Sequence, residues 1–197
     1  MDCSRGPTKD PGAWLETPRL RLRRLTTADA EWVWKLDRDP EVMRFISGDV
    51  PTPRDVFDRE LLPRLVRSYE GGPLFGFWAA SLRETGDCIG WFHLRPERQE
   101  PFEMELGYRL RRDVWGRGLA TEGSIELLRR AFSEWEVPRV VALTLTVNAA
   151  SRRVMEKSGM IWERDFICPE SWWPGSSDNE RRAVRYGIVA ADFDPAW

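Results

Sequence analysis

Residues 105–124 read ELGYRLRRDVWGRGLATEGS. The stretch opens as a strand, passes two glycines one residue apart, Gly116 and Gly118 flanking Arg117, and runs directly into an apolar-periodic segment. Glycine where a strand gives way to a helix marks backbone that bends sharply or lets something approach closely. A helix start also leaves backbone N–H groups unpaired and carries the positive end of the macrodipole. Together these features describe an anion site, most often one for phosphate. The fold turns on which phosphate ligand fits.

Elements on either side of the loop follow from periodicity. PRLRLRRL from Pro18 alternates Leu20 and Leu22 with arginines, as a half-buried strand does. TTADAEWVWKLDRDP follows as a helix, with Thr26 as cap, Asp29 at the third position, one face made by Trp32, Val33 and Leu36, and Pro40 as its end. TPRDVFDRELLPRLVRSYEGG predicts a second helix, capped by Thr52, kinked at Pro63 and stopped by Gly71-Gly72. LFGFWAASLR and CIGWFHLR flank ETGD, whose Gly86-Asp87 signals a hairpin turn, and FEMELGYRL is the next strand.

After the glycines, ATEGSIELLRRAFSEW predicts a helix with Ile125, Leu128, Phe132 and Trp135 on its apolar face and Glu126 paired with Arg130 outside. RVVALTLTV reads as a buried strand, NAASRRVMEKSG as a short helix closed by Gly159, and MIWERDFI and RRAVRYGIV as strands on either side of a polar loop. The order β-α-α-β-β-β-α-β-α-β-β describes one α/β domain over residues 16–197, a mixed sheet with helices on its faces, behind a flexible arm of residues 1–15.

Composition removes several functions. The 197 residues are 42% hydrophobic and 31% charged, an ordinary globular balance, and the formal charge of −2 recruits no nucleic acid. No apolar run approaches the roughly eighteen residues a membrane span needs. The three cysteines (Cys3, Cys88, Cys168) form no C-x-x-C pair and suggest no disulfide framework. With His93 the chain's single histidine, neither a zinc site nor a His-based triad is expected. The expectation is a cytoplasmic, metal-free protein without nucleic-acid or membrane partners.

Three glycine loops compete. A Walker A loop is excluded because Ser124 and Ile125 stand where its lysine and Ser/Thr belong. A dinucleotide fingerprint fits poorly, since the third glycine comes late and the loop follows a late strand rather than the first. The third ligand is acyl-coenzyme A, with its pyrophosphate on N–H groups from about Val114 to Ala120.

The loop segment resembles the acyl-CoA loop of the GCN5-related N-acetyltransferase superfamily, and its surroundings resemble the ribosomal-protein (RimJ/RimL-like) branch. TPRLRLRRLTTADA, NAASRRVMEKSGM and RAVRYGIVAADF match in the same order, so the resemblance spans about residues 16–193. It departs from the superfamily pattern Q/R-x-x-G-x-G/A at Asp113, an acid in a basic or amide position, with Arg111, Arg112 and Arg117 nearby as other sources of positive potential.

The resemblance implies the acyl-CoA N-acyltransferase fold, with a mixed, mostly antiparallel central sheet and helices on both faces, and acetyl-CoA as co-substrate. It implies cofactor contacts at Leu110, Arg112, Trp115, Gly116, Arg117, Gly118, Leu119, Ala120, Thr121, Asn148 and Ser151. Asn148 caps the helix that begins there and, by resemblance, touches the pantetheine arm. Ser151 corresponds to a serine acting as general acid at the CoA sulfur. Glu170 corresponds to a glutamate base, and Glu105 or Glu103 offers the alternative of a base acting through water. Leu110 is placed to donate its N–H to the developing oxyanion.

Each of these residues also has a bland role open to it. Ser151 can finish a helix, Glu170 can be a solvated loop acid, and Glu103 and Glu105 can form a polar sheet edge. Tyr108 is read as core or pantetheine packing and His93 as structural. Trp172-Trp173 suits an acceptor pocket or a homodimer edge.

The expected activity is direct attack of a primary amine on the thioester, the acceptor being a small-molecule amine or a protein N-terminus. The alternative is a non-catalytic acyl-CoA-binding module on the same fold.

Overall fold

A computed structural model describes residues 15–46, 52–67, 75–100 and 102–194. Eight strands form one sheet: β1 (Leu15–Glu16), β2 (Leu20–Arg24), β3 (Gly76–Leu82), β4 (Cys88–Pro96), β5 (Met104–Leu110), β6 (Arg139–Leu145), β7 (Ile161–Ile167) and β8 (Arg182–Val189). Their spatial order is β1-β2-β3-β4-β5-β6-β8-β7. All neighbours are antiparallel except β5 and β6, so the sheet is mixed and mostly antiparallel as expected. The two-residue β1, too short to carry a periodic signal, was not foreseen.

Strand alternation sorts the side chains onto two faces. Phe92, Leu94, Leu106 and Leu110 point to one face, where α5 (Leu119–Ser133) and α6 (Ala149–Lys157) cover the larger core. Phe77 and Trp91 point to the other. There α1 (Ala30–Leu36), α2 (Pro40–Met43), α3 (Arg54–Val56) and α4 (Leu62–Val66) build a second core with Val33, Leu36, Phe57 and Leu65.

Four expectations need correction. Pro40 does not end the first helix: α1 stops at Leu36, and Pro40 opens α2 behind an Asp39 cap, a position where its missing N–H costs nothing. Pro63 produces a π turn over Phe57–Leu61 that merges into α4, the local adjustment available when a hydrogen bond is lost. The buried face of α5 is Leu119, Gly123, Ser124, Leu127, Leu128 and Ala131, wider than the expected stripe: Leu128 is buried and Phe132 and Trp135 pack half-buried against the same core, but Ile125 lies outside it and small Gly123 meets the Phe92 ring. Finally, Cys88 is disulfide-bonded, while Cys168 is a free thiol. Gly71-Gly72, expected to stop the second helix, lies outside the described residues, and α4 ends at Val66.

Candidate active site

The parallel pair β5–β6 is the irregular point of the sheet. It is in register only at Met104–Val140 and Glu105–Val141. On their outer sides β5 stays paired with β4 as far as Leu110, and β6 with β8 as far as Leu145. The two strands therefore diverge into a wedge whose walls are Leu106–Leu110 and Ala142–Leu145. The N–H of Arg111 bonds the carbonyl of Ile89 at 2.7 Å. By alternation the N–H of Leu110 points the other way, into the wedge. The Leu110 carbonyl on that same side is taken by the Trp115 indole at 2.8 Å.

The glycine loop closes one end of this wedge. Gly116 and Gly118 have φ of 72° and 78°, a region that non-glycine residues enter only at a cost. A side chain at Gly116 would meet nothing within 4 Å, and one at Gly118 only the Arg19 guanidinium at 3.5 Å, so the space above the loop is open. The N–H groups of Gly116, Arg117 and Gly118 have no backbone acceptor among the described residues. Those of Leu119, Ala120 and Thr121 belong to the first turn of α5, where helix geometry leaves them unpaired. This is a cradle of donors at the positive end of a fifteen-residue helix, and it fits a pyrophosphate.

Asp113 does not oppose that ligand as its charge suggests. Arg111 holds it in a two-point ion pair, with Nε at 3.0 Å, and this hydrogen bond keeps the Asp113 carboxyl below the usual range. Arg111 is spent on Asp113 and on the Cys88 carbonyl, leaving Arg112 and Arg117 exposed as the loop's free cations. The turn between β1 and β2 braces the loop from behind, which sequence reading missed. Glu122 accepts from the Thr17 hydroxyl, the Arg19 N–H (2.9 Å) and the Arg19 guanidinium (2.6 Å), and Arg19 also donates to the Arg117 carbonyl at 2.8 Å. The contacting residues are about a hundred positions apart, so no local signal announces them.

On the α6 side of the wedge three predicted residues meet. The Asn148 side chain accepts from the Ser151 N–H at 3.2 Å, the expected cap, and donates to Thr144 at 3.1 Å. The Ser151 hydroxyl lies 2.9 Å from the hydroxyl of Tyr108. Tyr108 packs against Phe92 at 6.0 Å between ring centres, so it is core as expected, but its hydroxyl reaches Ser151 as well. Burial pushes the Tyr108 phenol up to about 12, with the Ser151 hydrogen bond a smaller opposing effect, so it stays a proton donor across the physiological range.

The glutamates are not beside this pair. Glu105 projects to the opposite face, ion-paired with Arg95 and 3.7 Å from His93. Burial opposes its ionisation, yet His93 beside it and the Arg95 and Arg98 charges hold its carboxyl below the usual range. His93 is buried with neither ring nitrogen hydrogen-bonded among the described residues, stacked near Trp91 and edge-on to Phe77. Burial pushes its imidazole below the usual value, against the pull of Glu105, so it is neutral at pH 7. Glu103 sits in a separate network with Arg139 and Arg185, which also bind Glu163.

Glu170 is exposed in the short turn Glu170–Trp172 and makes no hydrogen bond or ion pair through its side chain among the described residues. Its neighbour Trp172 lies against Arg98 at 5.2 Å, which brings this loop to the Glu105 face. No group of three or more His, Cys, Asp or Glu side chains among the described residues is placed to hold a metal ion, and no helix among them is long and apolar enough to cross a membrane.

Comparison with known proteins agrees with this geometry. Residues 19–161 match the family model described as an acetyltransferase (GNAT) domain. An FsC-acetyl coenzyme A-N(2)-transacetylase of Aspergillus fumigatus is 33% identical over 187 residues, covering 91% of this chain and 77% of the relative. An acetyltransferase from Agrobacterium tumefaciens superposes with a TM-score of 0.64 at 28% identity, over 88% of this chain and 92% of that one. The spermidine N-acetyltransferase of Vibrio cholerae in complex with CoA and spermine shares the fold, with a TM-score of 0.67 at 13% identity over 89% and 98% of the two chains. A wedge in the sheet, a donor cradle at its end and a relative of this similarity converge: the chain belongs to the GCN5-related N-acetyltransferase family and is an acetyl-CoA-dependent N-acetyltransferase.

Proposed function

We propose that the chain acetylates a small-molecule primary amine by direct attack in the β5–β6 wedge, with Ser151 and Tyr108 acting together as the acid. The observation that carries this reading is the 2.9 Å contact between the two hydroxyls on the wall of the wedge. The thioester lies along the wedge with the pyrophosphate on the Gly116–Thr121 donors, and the Leu110 N–H receives the oxyanion. The amine attacks the carbonyl carbon from the opposite face, which the pantetheine arm leaves free. As the C–S bond breaks, Ser151 gives its proton to the thiolate and Tyr108 resupplies Ser151, the phenolate then taking a proton from solvent as the products leave.

The amine's own proton leaves on the Glu105 and Glu170 side. Glu170, exposed and unengaged, is the acceptor on this reading. Glu105 stays ionised beside Arg95 and favours a cationic amine nearby without itself being a strong base. The transacetylase from A. fumigatus, with an N(2) acceptor in its name, supports a small-molecule amine over a protein N-terminus. The RimJ/RimL-like branch, carried by the sequence resemblance, finds a relative described as a putative ribosomal N-acetyltransferase, 29% identical over 57% of this chain. The exposed apolar edge of β7 (Ile161, Trp162, Ile167) supports a homodimer contact, and a cytoplasmic setting goes with acetyl-CoA as co-substrate. One domain over residues 16–197 accommodates all of these parts.

Titration calorimetry with acetyl-CoA and with CoA, on wild type and on Gly118→Trp, tests the cradle. Binding lost in a folded variant supports it, and equal binding overturns it. A primary-amine screen by thiol release on wild type, Ser151→Ala and Glu170→Gln then tests the roles. Turnover that is indifferent to both substitutions removes both assignments.

A further inference from the structure

The mouth of the wedge carries a charge pattern that the reaction itself does not require. Between the end of α1, the start of α2 and the turn after β5 lies a concavity of about 480 Å³, lined by Lys35, Arg38, Asp39, Pro40 and Arg112. Three cations face one carboxylate, and that carboxylate is already used, since Asp39 accepts the Glu41 N–H at 3.0 Å to cap α2.

The cations are only lightly held. Lys35 shares Glu31 at 3.4 Å with both side chains more than half exposed, and Glu31 is also bound by Arg54 at 2.9 Å. Arg38 lies over the Trp34 ring at 4.8 Å and makes no side-chain hydrogen bond or ion pair among the described residues. Arg112 makes no side-chain hydrogen bond or ion pair among the described residues.

The position of this concavity is fixed by a buried contact. Asp37, next to Arg38, is ion-paired with Arg109 of β5, and Arg109 lies over Trp91 at 4.9 Å. Asp37 is 1% exposed, so the end of α1 is pinned beside the last residues of β5. Trp91 belongs to the core on the face opposite α5. Lys35 and Arg38 therefore bring the concavity to the side from which the amine approaches, where it meets the phosphate loop at Arg112.

We infer that this concavity is an anion subsite for the acceptor, which selects primary amines that also carry a carboxylate and disfavours polyamines. The inference rests on the acetyl-transfer reading above. An arginine fork and a lysine point charge recognise a carboxylate by charge-assisted hydrogen bonds. A second ammonium in the same place is repelled by three cations and meets one occupied carboxylate. Because the site is open to solvent, the selection is moderate and screened by salt.

Steady-state thiol release with 6-aminohexanoate, 6-aminohexanamide and 1,6-diaminohexane tests it, on wild type and on Lys35→Ala/Arg38→Ala. Wild type is expected to favour the carboxylate by about tenfold in kcat/KM over both others, mainly through KM. The preference falls to near parity in the variant and at high salt, with the KM for acetyl-CoA unchanged.

Equal use of the three amines, or a preference for the diamine, overturns the inference and leaves the acetyl-transfer reading standing. A raised acetyl-CoA KM in the variant also overturns it, because the concavity then serves a cofactor phosphate. If none of the three is acetylated while acetyl-CoA binds, calorimetry of 6-aminohexanoate with the CoA complex decides. Binding weakened in the variant sustains the subsite, and equal or absent binding removes it. Failure of acetyl-CoA itself to bind is the separate result that sinks the acetyl-transfer reading.

Discussion

Replacing Ser151 by alanine should slow the enzyme only modestly, and by the same factor at every pH at which the donor hydroxyls stay protonated. The reason is the leaving group. A simple thiol has a pKa of about 8.5, so at pH 7.5 an unprotonated thiolate lies only about one unit, or about 1.4 kcal/mol, above its protonated form. A proton donor aimed at the sulfur is therefore worth about tenfold, well short of the thousandfold gains seen where the leaving group is a poor one. Tyr108, held up at about 12, does not titrate in this range, so the donor stays protonated and the loss should not vary with pH.

The assay is kcat by thiol release from pH 6.5 to 9.5 on wild type, Ser151→Ala, Tyr108→Phe and the double variant. Ser151→Ala is expected to lose about tenfold throughout this range, at pH 7.5 and above pH 9 alike. Tyr108→Phe should lose nearly as much, and the double variant little more than either, because the hydroxyls 2.9 Å apart act as one unit. A loss that varies with pH over this range refutes donation by these hydroxyls. Losses that multiply in the double variant refute the shared relay.

Three further outcomes follow from local contacts. Asp113→Asn should tighten acetyl-CoA binding about two- to threefold at low ionic strength by releasing Arg111, with the gain gone at high salt in a calorimetric series, since the pair is half-exposed. Gly118→Ala should weaken acetyl-CoA about fivefold through the cost of φ 78°, about 1 kcal/mol, rather than through contact, because its Cβ meets only Arg19 at 3.5 Å; calorimetry beside a melting curve separates the two. Burial of Asp29 opposes its ionisation, but Arg23, the Thr26 N–H at 2.8 Å and the Trp32 indole at 2.7 Å hold its carboxyl below the usual range. Its stabilisation is thus full above about pH 4 and is lost as pH falls through the depressed value, so Asp29→Asn should cost about 3 kcal/mol in urea unfolding at pH 7, with the gap closing on acidification.

Sequence showed most of the fold because the strands are short and alternating and the loop is unusual. Leu20 and Leu22, the Gly86 turn, the Asn148 cap and the Gly159 stop all act within a few residues of themselves, and each appears where periodicity puts it. What failed was nonlocal or depended on a choice between neighbours. Pro40 satisfies the rule for ending one helix and for opening another, and only the fit of α1 against β4 decides. The face of α5 followed Gly123 and Ser124 because Phe92 needed room, which a hydrophobicity stripe undervalues.

In the site, Asn148 and Ser151 could be placed by spacing. The Tyr108 contact and the Arg19–Glu122 brace join residues whose meeting only the sheet order explains, and the Arg111–Asp113 pair is local but depends on where the two side chains turn. Asp113 is the clearest case, since read alone it is an acid beside a phosphate, and its partner two residues away removes the objection.

The separation of Tyr108 and Ser151 from the Glu105 carboxylate follows from one property of β5. Successive side chains alternate faces, so Tyr108 joins Ser151 on the α6 side while Glu105, Gly107 and Arg109 look the other way. The pairing with β4 fixes this assignment, Phe92 opposite Tyr108 and Arg95 opposite Glu105, and a slip of one residue would exchange every role. On the proposed reading, a thioester lying in the wedge meets its proton donor on one face and carboxylates on the other. The proton lost by the amine and the one gained by sulfur then travel on opposite sides of the sheet. No single residue has to serve both as acid and as base, and so a neutral, buried His93 can sit at the centre of the acceptor face without being the shuttle. His93→Phe should accordingly leave the pH dependence of kcat in place, whereas a lost ionisation in that profile would return the proton transfer to the imidazole and overturn the two-sided scheme.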